Sequence, residues 1–223
     1  MTGSLCLRVD LDYVPWDSPD GEEFGHGEPA MVLKLLEQAR HTGAKYHFFT
    51  SNRSLRAFPT IADAVLNDGH HLDWLCKQPD QLAVRWAQAK ELFAMHGHAI
   101  QGCGLRGELP IGLELPEQIR FVSAMATPGE TVERTDLRIF KVETRPERDA
   151  LRSGQTARAW MESVKTQLRA FASHGQSATV VVRPQVLAKV DVKLAQIKEL
   201  VSFTRAVGMR VQTLREMAEE VAP

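Results

Sequence analysis

The stretch Leu5-Cys6-Leu7-Arg8-Val9-Asp10-Leu11-Asp12 constrains this chain more than any other. It begins as an apolar run and ends in two carboxylates two residues apart. On a β-strand, residues i and i+2 share a face, so Asp10 and Asp12 project together from the strand's C-terminal end. In folds of parallel strands and covering helices, ligands bind at that end. Two like charges held this close raise one pKa unless a cation sits between them. The plainer alternative places one Asp in solvent and uses the other to cap a turn.

The rest of the chain alternates strand and helix. Tyr13 to Pro29, rich in Pro, Gly and acidic residues, reads as a long non-helical loop over the carboxylates. Helices are predicted over 28–41, 55–67, 81–96, 156–174, 192–207 and 214–221, most of them ended by glycine. Strands are predicted over 44–50, 70–75, 99–103, 119–125, 137–142, 178–182 and 209–213. The run Ala178-Thr179-Val180-Val181-Val182 suits a strand buried on both faces. This alternation predicts a single α/β domain over residues 1–223, a distorted (β/α) barrel with seven to eight mainly parallel strands.

Composition narrows the class further. The 223 residues carry a formal net charge of −1, which gives no electrostatic case for nucleic acid or an anionic membrane. Cys6, Cys76 and Cys103 are far apart in sequence and form no C-x-x-C pair. No apolar stretch approaches the roughly 20 residues of a membrane span, and no signal peptide is evident. The expectation is a soluble cytoplasmic protein of undefined oligomeric state.

In order along the chain, LRVDLDY, KYHFFTSN, NDGHHLDWL, the GLRG turn, VVVRP and GMRVQTLREMAEE resemble the polysaccharide deacetylases, carbohydrate esterase family 4. The resemblance covers nearly the whole chain. The D-x-D form looks most like the branch that deformylates a lipid-linked aminoarabinose. The resemblance implies a distorted (β/α) barrel that hydrolyses an N-acyl group from an amino sugar. It also implies a divalent metal held by one Asp and two His, with a second Asp as base and a late-strand His as acid. On this mapping Asp10 is the base, Asp12 the metal ligand, and Arg106 the arginine that orients the base.

Other positions depart from the family's G-H-E-[IVL]-G-x-H-x-x-x-H. Counted from Gly69, the ligand histidines fall on Leu75 and Pro79, neither of which binds metal through its side chain. A one-residue slip gives Cys76 and Asp80. The acid histidine falls near Val182 or Arg183, and arginine does not act as a general acid near pH 7. No cofactor is therefore expected, with zinc retained only for a rearranged site.

His71 and Asp73 alternate onto one face of their strand and are candidates to join the Asp pair in the barrel mouth. The local alternative is a satisfied His and a turn Asp. Arg183 is either a surface Arg beside a Pro turn or a fixed cation in the metal's place, paired with Asp10 or Asp12. Trp16, in the loop after the pair, is the tryptophan that suits sugar stacking. Trp86 and Trp160 lie in apolar helical stripes, and His96 and His98 suit a helix end. Three functions remain in view. The first is a catalytically impaired or inactive deacetylase-like protein that binds a carbohydrate or N-acylated ligand. The second is an active amide hydrolase, deacetylating or deformylating an N-acyl amino sugar, with a rearranged Asp/His site. The third is a non-enzymatic scaffold.

Overall fold

The computed structural model describes residues 3–14, 17–24, 28–110, 112–125, 137–142 and 144–220. Its first strand, β1 (Ser4–Leu11), is buried along all eight residues. Such burial is expected of a parallel strand covered on both faces. The even and odd positions divide the work. Leu5, Leu7, Val9 and Leu11 join the large core under the helices, whereas Cys6 joins a smaller cluster with Phe49, Leu75, Phe121, Leu214 and Met217. Arg8, Asp10 and Asp12 share the face of Cys6, which looks into the curled sheet.

The remaining strands are β2 (His47–Thr50), β3 (His71–Cys76), β4 (Gly102–Leu105), β5 (Phe121–Ala124), β6 (Arg138–Lys141), β7 (Ala178–Val182) and β8 (Arg210–Val211). They form one sheet in the order β6-β5-β4-β3-β2-β1-β7, and β8 pairs with β1. Every ladder is parallel. β1 is central: Leu5 to Val9 pair with β7, Arg8 to Leu11 with β2, and Ser4 and Leu5 with β8. The sheet curls into a half-barrel. Between its outer strands, β6 and β7, side chains cross where no ladder is seen among the described residues: Thr144 Oγ1 donates to Thr179 O at 3.1 Å, and the Arg183 amide donates to Glu147.

The helices are α1 (Pro19–Phe24), α2 (Glu28–Thr42), α3 (Asn52–Ala57), α4 (Pro59–Asn67), α5 (Leu82–Met95), α6 (Glu147–Arg152), α7 (Ala157–Ser173), α8 (Pro184–Val190), α9 (Ala195–Ala206) and α10 (Leu214–Glu220). Prolines account for most departures from the sequence reading. The loop expected over 13–29 contains α1, because Pro19 at a first helical position sacrifices no needed donor and Ser18 Oγ accepts from Gly21 N at 3.1 Å. The helix expected over 55–67 is two helices, since Phe58 before Pro59 adopts φ −139°, ψ 62°. The helix expected from 192 begins at Ala195, after Leu194 in the left-handed region, and Asp191 caps its first amides. Among the described residues no helix is long and apolar enough to cross a membrane.

The N-terminal end of the half-barrel is closed by α10. Leu214 and Met217 pack against Cys6, Phe49, Leu75 and Phe121. The C-terminal end stays polar, and there the carboxylates of β1 emerge.

Candidate ligand site at the barrel mouth

Asp10 is 1% exposed and its counter-charge comes from its own strand. Arg8, two residues earlier on the same face, grips it with Nε to Oδ1 at 2.7 Å and Nη2 to Oδ2 at 3.0 Å. The other N–H groups reach Ser123 O at 2.9 Å, Ser123 Oγ at 3.0 Å and Leu105 O at 3.0 Å. All donors of the guanidinium are thus used. Its carbon lies 5.0 Å from the centroid of the Phe49 ring. Gly104 makes room for this arrangement, because a Cβ there would stand 3.0 Å from Arg8 Nη2 and 2.8 Å from the Phe49 ring.

Asp12, just past the end of β1, is fully buried. Two cations converge on its Oδ2: Arg106 Nη1 at 2.6 Å, from the turn after β4, and Lys77 Nζ at 3.1 Å, from the turn after β3. Arg106, expected to orient Asp10, lies against Asp12 instead. Arg183 makes no hydrogen bond to either carboxylate. Arg8 has taken the place at Asp10 that Arg183 was expected to fill.

Arg183 is nevertheless buried, at 2% exposure, so it is not a surface residue beside a turn. Its Nε and Nη1 meet no acceptor among the described residues. Its amide donates to Glu147 Oε1, and Glu147 is itself 2% exposed. Burial pushes the Glu147 carboxyl up to about 7, against the pull of the Arg183 charge. Arg183 lines a cavity of about 180 Å³ with Arg8, Asp10, Arg106, Arg148 and Asp149. Lys77 also lines a separate open groove of about 620 Å³, together with Arg53, Arg56 and Arg85. That lining contains no carboxylate.

No family model matches the chain, and no curated protein does. Solved structures do. A Mycobacterium smegmatis protein provisionally named a polysaccharide deacetylase is 14% identical, with a TM-score of 0.73 over 99% of this chain and 90% of its own. A carbohydrate esterase family 4 pseudoenzyme from Bacillus anthracis is 11% identical, with a TM-score of 0.63 over 98% of this chain and 66% of its own. Peptidoglycan deacetylase PdaC from Bacillus subtilis is 14% identical, with a TM-score of 0.59 over 99% and 91%. This chain has the polysaccharide deacetylase fold.

The metal implied by that fold does not fit the donors present here. Two cations already crowd Asp12 Oδ2. Leu75 is buried in the apolar cluster inside the half-barrel, and Pro79 opens a short 3-10 turn. Cys76 belongs to the core under the helices, its thiol donating to Gln78 O, and Asp80 is exposed. Among the described residues no group of three or more His, Cys, Asp or Glu is placed to hold a metal ion.

His71 and Asp73 do face the inside of the sheet, but not the mouth. Asp73 Oδ1 accepts the amides of Gln101 at 2.6 Å and Gly102 at 2.9 Å, and its Oδ2 meets His47 Nε2 at 3.1 Å and Arg215 Nη2 at 3.0 Å. Burial acts to raise the Asp73 carboxyl, but the His47 hydrogen bond and the Arg215 charge hold it below its ordinary value. His71 Nδ1 is 2.7 Å from Thr213 Oγ1, and burial and Arg215 push this ring down to about 4. Both residues tie α10 under the sheet, so their expected place beside the Asp pair is corrected. The cause is the docking of α10, which brings Thr213 and Arg215 to the N-terminal ends of the strands.

Trp86 and Trp160 are core residues, as their helical spacing suggests, and Trp16 lies outside the described residues. His96 caps α5, and His98 Nε2 lies 3.3 Å from Asp63 Oδ1. Sequence reasoning missed Arg8, Lys77 and Glu147. Arg8 was within reach, since the i, i+2 rule applied to Asp10 and Asp12 extends one step back. Lys77 and Glu147 carry no local signal and are assembled by the fold.

Proposed function

We propose that this protein binds a carbohydrate or N-acylated ligand at the mouth of a deacetylase-type half-barrel and lacks the family's metal-dependent hydrolysis. The observation that carries this reading is the pairing of Asp12 with Arg106 and Lys77. The position that the family resemblance gives to a metal ligand is here neutralised by fixed cations. The similar fold of a family 4 pseudoenzyme supports the same reading. So does the polar, arginine-lined mouth, which remains a shaped cavity and groove while the opposite end is sealed by α10.

The test is calorimetric titration of the chelator-treated full chain with N-acetylated chitotetraose, alongside an assay of acetate release with and without added zinc. Binding without acetate release is the expected outcome. Zinc-dependent release that disappears in Asp12→Ala would overturn the loss of hydrolysis. Absence of any binding would remove the carbohydrate reading.

A further inference from the structure

The cations at this mouth are not equally engaged. Arg8 has an acceptor for every N–H, Arg106 is held by Asp12, and Arg148 Nε and Nη2 meet Asp149 Oδ1 at 3.1 Å and 3.0 Å. Arg183 has no ion pair among the described residues: it is 2% exposed, and its Nε and Nη1 meet no acceptor there. A buried guanidinium with idle donors is costly, and such a group in a folded protein calls for a specific explanation. The neighbouring carboxylates do not supply one. Both oxygens of Asp10 are taken by the fork of Arg8; Glu147 accepts the Arg183 amide with one oxygen, and its other oxygen makes no hydrogen bond to the guanidinium.

The cavity beside these donors is lined by four arginines against two aspartates, Asp10 and Asp149. Its volume, about 180 Å³, falls below the roughly 300 Å³ at which ligand pockets usually begin. The planar fork of arginine matches a carboxylate or a phosphate in two parallel hydrogen bonds.

We infer that the Arg183 cavity is a seat for one carboxylate or phosphate group, so that the ligand of this mouth is an anion. The inference rests on the reading of the mouth as a ligand site and adds its chemical class. It is tested without any sugar, so the two ideas fail separately.

The experiment is a titration of the full chain with sodium phosphate and with sodium acetate, against sodium chloride at matched ionic strength. Thermal unfolding and calorimetry are the readouts. A saturable rise in Tm with phosphate or acetate, absent with chloride, is expected, and whichever anion binds more tightly identifies the group. Arg183→Gln weakens that binding by about tenfold or more, the loss of a charge-assisted pair. Arg158→Gln, on the exposed face of α7, leaves the response to these small anions unchanged. A response equal to that of chloride overturns the inference, as does an Arg183→Gln protein that titrates like the parent. If Arg183→Gln fails to fold, a crystal structure of the parent grown in phosphate decides. A tetrahedral ion within about 3.2 Å of Arg183 Nε or Nη1 supports the seat, and water alone in the cavity overturns it.

Discussion

At the residue scale, the buried charges of the mouth are held by specific partners, and removing one partner leaves the other stranded. Asp10 depends on Arg8, so Arg8→Met is expected to cost about 3–5 kcal/mol in denaturant unfolding. Asp10→Asn in the same chain recovers part of that loss. An Arg8→Met protein as stable as the parent would show that Asp10 finds another cation. Glu147 supplies a pH dependence. Its carboxyl rises from the ordinary 4.5 to about 7 in the folded chain, so the folded state holds a proton that the unfolded state has released. The contribution of Glu147 is full below about pH 4.5 and is lost as pH rises through 7, by roughly 3 kcal/mol at about 1.4 kcal/mol per unit. Glu147→Gln is expected to match the parent at pH 4.5 and exceed it at pH 8. A parent whose unfolding free energy rises between those values, with no change on substitution, would contradict this assignment. The Asp pair was legible because the acids stand two apart on a strand; the GLRG turn pointed to Arg106, but at Asp10, where Arg8 stands, and not at Asp12. Glu147 and Lys77 were not legible, because long-range folding alone brings them to the site.

At the element scale, the strands were the most legible part. Apolar runs such as Ala178–Val182 match the observed strand because burial on both faces leaves no room for polar alternation. Helix boundaries near proline were less legible, since Pro59 breaks one periodic stretch and Pro184 opens a helix where none was expected. The interior of the half-barrel was least legible, because small residues on one strand are there to admit large ones from the next. Gly102 is the sharpest case: a Cβ there would lie 2.1 Å from the Phe121 ring. Gly102→Ala is therefore expected to cost about 1–3 kcal/mol through overpacking. The cost should shrink in a Phe121→Leu background, where the ring is gone, and a double-mutant cycle reads this coupling. Strict additivity of the two substitutions would mean that the backbone, and not the ring, absorbs the added methyl.

At the scale of the whole molecule, the fold separates its two ends by chemistry. One end is sealed by α10 with Leu214, Met217 and the Asp73 network. The other carries Asp10 and Asp12 with the cations of Arg8, Lys77, Arg106, Arg148 and Arg183. The deacetylase fold pairs such an end with a divalent metal, and a metal bound only by the folded state raises stability by mass action. At a hundredfold excess over Kd the gain is about 2.7 kcal/mol. For a chain of this size each kcal/mol corresponds to roughly 2–4 °C in Tm. Such a shift is large enough to detect, and it is expected to be absent here. Chelation should leave the Tm of the parent unchanged, and zinc should bring no saturable rise, because a metal at Asp12 must first displace Arg106 and Lys77. The cations also predict their own reversal. Lys77→Ala with Arg106→Gln frees the Asp12 carboxylate, and any residual zinc affinity at the mouth should rise in that protein relative to the parent. A parent that gains several degrees with one equivalent of zinc, and loses the gain in Asp12→Ala, would show that ligands other than Leu75 and Pro79 complete a metal site at this mouth.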